Sequence, residues 1–417
     1  MDSKGFTIVE LLISAAIFSL IITGMTLALV QQQRQYNITQ DIVDVDHTAR
    51  AALDFISSEV RNAGSRQGKT FSIGFENGGS DVDVDPKCTD NSNKTDINAP
   101  PDCLTVYTWD ITEGRDGDDM PSVPGTVSIA SEGPPLVLNL PTEWFKDASG
   151  MDRDPPLIQD GGLIGARSRF NLCYPNPTGC NPGDACFVDC NTDPEKCTEC
   201  SVILRVDIND SNQAVIDDVS DIVEQNFQEA DFADVSSFVT NFFRPRLALQ
   251  ASEITIAEAK SFRVDLTDRE LEMSQTLDDM GDPDQFQPIV GGLDAPGIVD
   301  LQFVFNIQGA DGVITKVGVP SDTANRQFAN FDELEAQANP ALGSVNDIRS
   351  VEIYLVVRSQ TRPRKISGGF FGQNIPAIGD VFQKELSDNL PDPVEGYIYR
   401  VFSTTVYIRN LAREEFG

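Results

Sequence analysis

An α+β fold is what this 417-residue sequence predicts: one long N-terminal transmembrane and spine helix packed on an antiparallel β-sheet head that carries a cysteine-rich insertion. The prediction rests on three observations. The 25 residues from Phe6 to Val30 are apolar apart from small polar residues and Glu10. Behind them Ile38, Ile42, Val45, Ala49, Ala52, Ile56, Val60 and Ala63 recur at steps of four or three, an apolar stripe along one helical face. After Gly64 the pattern changes to short runs of alternating hydrophobicity between turn-rich loops, the mark of half-buried strands.

The first element opens after a short polar segment, Met1 to Gly5. At ~1.5 Å per residue the apolar run reaches ~37 Å, enough to cross a hydrocarbon core of ~30 Å with some tilt. A cleavable secretory signal fits less well, because its apolar stretch is ~7 to 15 residues and holds no carboxylate. Glu10 is the informative residue: an acid inside a spanning helix costs about 2.5 to 3.5 kcal/mol on insertion scales and normally has a partner or a function. The stripe from Ile38 extends the helix to about Ala63, roughly 87 Å in all, and marks the face that packs on a folded domain. Asp46, Arg50 and Asp54 stand at i, i+4 spacing off that stripe. Gly64 fits a C-cap. Gly24, preceded by Thr23, reads either as a weak point in the membrane half or as a packing notch.

The strands follow in order. Leu104–Trp109, Val202–Ile208, Val299–Phe305, Val351–Val357 and Tyr397–Ile408 all alternate, and Glu229 to Phe243 reads as a short helix. Linkers and length divide the chain into the helix at 6–64, with 6–30 in the membrane, a β-rich head with the insertion at 65–250, and a C-terminal sheet region at 251–417.

Acidic residues outnumber basic ones 65 to 31, a formal net charge of -34. Such a surface repels a nucleic-acid backbone, and no nucleic acid is expected among the partners. Eight cysteines are absent from the first 87 residues. Cys88 and Cys103 are followed by Cys173, Cys180, Cys186, Cys190, Cys197 and Cys200, in loop-rich sequence typical of structural disulfides in an oxidising compartment. Cys197-Thr198-Glu199-Cys200 has no second C-x-x-C at zinc-ribbon spacing, so disulfides are favoured over a metal cluster or redox thiols. Cys88 with Cys103 and three bridges inside the cluster is the natural division, although spacing leaves the connectivity open. Asp81, Asp83 and Asp85 alternate, and Asp110, Glu113, Asp116, Asp118 and Asp119 form a second acidic loop; oxygen-rich loops of this kind can hold Ca²⁺. Neither has EF-hand spacing, and a solvated acidic surface is the default reading. Ca²⁺ is the one cofactor left open. The single histidine, His47, lies on the helix, which leaves no His-based triad or zinc site for the head and argues against an enzyme.

The segment Lys4-Gly5-Phe6-Thr7-Ile8-Val9-Glu10-Leu11-Leu12-Ile13 closely resembles the prepilin cleavage motif of type IV pilins and type II secretion pseudopilins. The resemblance implies that residues 1–5 are a leader removed by a prepilin peptidase between Gly5 and Phe6, and that Phe6 is then N-methylated. It also implies that Glu10 pairs with the N-terminal amine of a neighbouring subunit, an opposite charge that offsets its burial. Three further stretches are similar to PilW-type minor pilins: Ala49 to Gly64, Val351 to Ser359 and Tyr399 to Asn410. The related J-type pseudopilins of type II secretion share much of this plan. The resemblance implies a minor pilin that primes assembly of a type IV pilus and sits at or near its tip, with a role in adhesion. The partners it implies are other major and minor pilins through the N-terminal helix, the prepilin peptidase, the inner-membrane assembly platform and a tip adhesin. A single-pass inner-membrane protein with a periplasmic head, later in the pilus at the cell surface, follows. The alternatives are a type II secretion pseudopilin and a membrane-tethered binding protein that never polymerises.

Overall fold

The computed structural model describes residues 8–63, 73–76, 102–110, 125–126, 128–131, 135–146, 149–152, 156–173, 198–219, 222–225, 234–247, 252–266, 268–275, 286–308, 313–317, 348–360 and 397–408. Helix α1 is Ile8–Asn62. The first strands are β1 (Ile73–Glu76), β2 (Cys103–Asp110), β3 (Gly125–Thr126), β4 (Ser128–Ser131), β5 (Leu136–Asn139), β6 (Gly162–Cys173), β7 (Thr198–Ile208), β8 (Gln213–Ile216) and β9 (Ile222–Gln225). A short helix, α2 (Val235–Phe238), precedes β10 (Ser252–Asp265), β11 (Glu270–Ser274), β12 (Gln287–Gly291), β13 (Gly297–Gln308), β14 (Ile314–Val317), β15 (Ile348–Arg358) and β16 (Tyr399–Tyr407).

Among the described residues the strands form a 12-stranded and a 4-stranded antiparallel sheet. The path of the larger one runs β1-β2-β10-β6-β7-β8-β5-β4; the smaller is β14-β13-β15-β16. β10 is the spine of the large sheet, pairing β2, β3, β6 and β11. A 14-residue strand has the length to take several partners end to end.

The expected stripe becomes the seat of α1. Val45, Ala49, Ala52, Ile56, Val60 and Ala63 are buried, joined by Leu53 and Ser57, whereas Ile38 and Ile42 are half-buried. They pack into one core with Leu104 and Val106 of β2, Phe262 and Val264 of β10, Leu301, Phe303 and Phe305 of β13, and Val351, Ile353 and Leu355 of β15. The two sheets therefore share this core, and a buried polar link joins them: Asp102 donates its N–H to the Leu301 carbonyl at 2.8 Å and accepts the Phe303 N–H on Oδ2 at 2.8 Å. A second core lies on the same face of the large sheet, over its far half, where Leu136, Leu138, Trp144, Ile164, Leu204, Phe238 and Phe243 meet.

All five alternating runs are strands. The expected helix at 229–243 is present in its second part and changes type. Among the described residues it starts at Asp234, whose side chain accepts the Ser237 N–H at 2.7 Å while Ser237 Oγ accepts the Asp234 N–H at 3.2 Å. This reciprocal cap fixes the first turn, and the chain then continues as a π-helix, Val239–Leu247. Arg269, at φ 59°, closes the β10–β11 turn, and its carbonyl accepts the N–H groups of Gly292 and Ile298. A Cβ on Gly291 would stand 2.7 Å from that oxygen, so the strand exit needs glycine there.

Candidate interaction helix and its seat on the head

The apolar half of α1 packs against no other described element of the chain. Ile8 is 78% exposed, and Leu12, Phe18, Leu20, Met25 and Leu29 are exposed in the same way. At ~1.5 Å per residue the 55-residue helix is about 82 Å long, so this half projects well beyond the head. Its length and composition suit a membrane span and are compatible with a single-pass anchor. The few hydroxyls in it are satisfied locally: Ser14 donates to the Glu10 carbonyl at 2.6 Å, Ser19 to Ala16, Thr23 to Ser19 and Thr26 to Ile22. Back-bonding of this kind lets polar side chains sit in an apolar segment. The helix runs unbroken through Gly24, and a Cβ at that position would meet nothing within 4 Å in the single chain.

Glu10 lies on the exposed first turns of α1. Gly5 and Phe6 lie outside the described residues, as do Asp81, Asp83, Asp85, Glu113, Asp116, Asp118, Asp119, Cys88, Cys180, Cys186, Cys190 and Cys197. Cys173 ends β6, and Asp110 ends β2. Cys103 and Cys200 are buried, and neither is a free thiol. Their positions on the large sheet are far apart. Leu104 pairs Phe262, whereas Ser201 pairs Arg167 and Arg167 pairs Glu253. Phe262 and Glu253 are nine residues apart on β10, about 30 Å in extended chain, against an ordinary Cα separation of at most ~7 Å across a disulfide. Cys103 and Cys200 are therefore not bonded to each other. His47 is exposed on α1. Among the described residues no group of three or more His, Cys, Asp or Glu side chains is placed to hold a metal ion.

Polar contacts lock the seated half of the helix to both sheets. Glu59 pairs with Lys260 of β10 at 2.9 Å, Asp46 pairs with Arg400 of β16, and Phe55 meets Phe262 edge-on at 6.0 Å. The spacing of Asp46 predicts support within the helix; its carboxylate instead ties the helix to the last strand. On the opposite face of the small sheet, Glu352 accepts hydrogen bonds from Lys316, from Tyr354 OH at 2.9 Å and from Asn306 at 3.3 Å. Burial alone would raise the Glu352 carboxyl, but these donors outweigh it and hold it below its ordinary range. Burial, together with the bond to Glu352, pushes the Tyr354 phenol up to about 12. This network is not visible in the sequence. The seated helix, by contrast, is legible from its period.

Comparison with known proteins gives two family matches. Residues 264–410, from the end of β10 past β16, match the family of type IV pilus-assembly protein W, and residues 1–26 match the prokaryotic N-terminal methylation motif. Residues 264–410 thus match a type IV pilin-like domain of the PilW family. Among solved structures it is similar to a type IV-like pilin from Thermus thermophilus, at 12% identity over 38% of this chain and 70% of that one, with a TM-score of 0.22. Comparison with curated proteins finds no match.

Proposed function

We propose that the chain is a minor pilin of a type IV pilus, held in the inner membrane by α1 until assembly and built into the filament through the same helix. One observation carries the reading. The methylation motif opens a helix whose first half is apolar and exposed and whose second half is fastened into the head. An exposed apolar surface of this size needs lipid or other apolar helices around it, and a filament core of packed helices supplies the second environment. Glu10 is then neutralised by the methylated amine of Phe6 on a neighbouring subunit. The match over 264–410 supports a pilus over a secretion piston. Priming of assembly, a place at or near the tip and adhesion belong to the same reading. So do a prepilin peptidase, other pilins and the inner-membrane platform as partners, and a role without catalysis.

Mass spectrometry of the N-terminal peptide from sheared filaments tests it. Mature protein is expected to begin at methylated Phe6, and Gly5→Ala to leave the precursor in the membrane. Glu10→Ala removes a burial cost of about 2.5 to 3.5 kcal/mol, so insertion stays intact while incorporation into filaments falls. Filaments that still carry Met1 to Gly5, or that take up the Glu10→Ala variant as well as wild type, would refute the reading.

A further inference from the structure

Among the described residues, Arg205 is a buried cation without a partner. It is 3% exposed, and none of its three guanidinium nitrogens makes a hydrogen bond. Side chains alternate along β7: Cys200, Val202, Leu204 and Val206 enter the second core, which places Ile203 and Arg205 on the opposite face. There the register sets Arg205 beside Leu163 of β6 and, one strand further, Ala257 of β10. Leu163, Ile203 and Ala257 offer no side-chain acceptor, and Asp207, two residues along the same face, is exposed and does not reach the guanidinium. An unpaired ion held away from water is strongly destabilising, so an anion brought to the guanidinium would stabilise the fold. On the same face Gly165, Ala257 and Ala259 are small, and Tyr107, Leu163 and Ile203 are buried beside them.

We propose that Arg205 anchors a binding site for a carboxylate borne on an apolar carbon skeleton. The planar fork of the guanidinium matches a carboxylate with two parallel hydrogen bonds. The apolar neighbours suit the body of such a ligand, and a phosphate or sulfate would leave oxygens against Leu163 and Ile203 without donors. The carboxylate comes either from a small organic acid or from a side chain of a neighbouring protein subunit.

Thermal unfolding of the full-length chain in detergent, with chloride replaced stepwise by butyrate at constant ionic strength, provides the first test. The wild type is expected to show a saturable rise in Tm of about 2 to 4 °C, reached at several-fold lower concentration with butyrate than with acetate. Arg205→Met and Arg205→Gln should both lose the rise, the Met variant keeping the fold because an apolar isostere removes the buried charge. The second arm maps phenylglyoxal labelling of Arg205 by peptide mass spectrometry. Protection by butyrate in the solubilised chain identifies a small acid; protection in assembled filaments without butyrate identifies a neighbour's carboxylate. Only this last comparison depends on filament assembly, so its failure is separable from that of the first arm. The site is refuted if the variants respond to butyrate as the wild type does. It is equally refuted if Tm does not move and neither butyrate nor assembly changes the labelling of Arg205.

Discussion

At the scale of single residues, the best-defined chemistry of the head is the acceptor role of Glu352. Lys316, Tyr354 and Asn306 converge on its carboxylate from β14, β15 and β13, so the small sheet is tied across its strands by one charged acceptor. Because the carboxyl is held below its ordinary value of 4.5, its contribution to stability is fully present above that pH and is lost as pH falls through the lowered value. Hydrogen bonds to a charged group are worth about 1.5 to 3 kcal/mol. Glu352→Gln should therefore destabilise the head by about that amount near neutral pH, and the gap to wild type should close in acid. Chemical denaturation followed by circular dichroism at a series of pH values measures it; a gap that persists unchanged at pH 3 would assign the loss to packing instead. Tyr354 has the opposite sign of dependence. Its neutral form is favoured by the fold, so its share of stability is present below the ordinary 10 and lost as pH rises toward about 12. Absorbance titration at alkaline pH should lose one late-ionising phenol in Tyr354→Phe; an unchanged curve would contradict the network.

At the scale of elements, α1 is one rod with two environments, and side-chain size decides where it is seated. Ala49 and Ala52 allow the helix axis to approach the sheet, and Ile56 fills the space between them and the strands. Ile56→Ala should cost about 2 to 5 kcal/mol of head stability, whereas Ile13→Ala, on the exposed half, should stay within about 0.5 kcal/mol. Thermal melts of the two variants in detergent give the comparison, and equal losses would mean that the helix is not seated as described. The same contrast explains what the sequence discloses. The helix is legible because its stripe repeats locally, and β2, β7, β13, β15 and β16 because large apolar residues alternate in them. β10 is not legible, although it is the spine of the large sheet. Its central residues Ala257, Ala259 and Ser261 are small, and Lys260 breaks the pattern until Glu59, 201 residues away, is seen to pair with it. β6 is hidden for a similar reason, since Gly162 and Gly165 read as turn residues. Glu352, Asp102 and Arg205 acquire their roles from partners, or from the want of one, across strands distant in sequence. Glu10, by contrast, stands out because a carboxylate in an apolar run is anomalous by itself.

At the scale of the whole molecule, two regions depend on different sources of stability. The helix, the small sheet and the adjoining edge of the large one share a continuous apolar core, and no cysteine follows Cys200 in the chain. Around β6 and β7 the loop-rich stretch from Cys173 to Cys200 has six cysteines in 28 residues and little apolar sequence to bury. We expect four intramolecular disulfides, each contributing about 2 to 4 kcal/mol. The distance between Cys103 and Cys200 excludes that one pairing, and the division we expect is Cys103 with Cys88 and Cys200 within its own cluster. Reduction should loosen the β6–β7 region first and leave α1 with β13, β15 and β16 folded. Alkylation of the unreduced, denatured protein followed by intact mass should add no label, and peptide mapping should recover Cys88 joined to Cys103. Recovery of Cys103 joined to any member of the 173–200 cluster would overturn that division, and labelling of several cysteines would overturn the disulfide framework itself. If both hold, hydrogen exchange after reduction should rise in β7 well before it rises in β15, since only the first loses a constraint on its unfolded ensemble. Simultaneous loss of protection in both strands would instead show that the cross-links support the shared core.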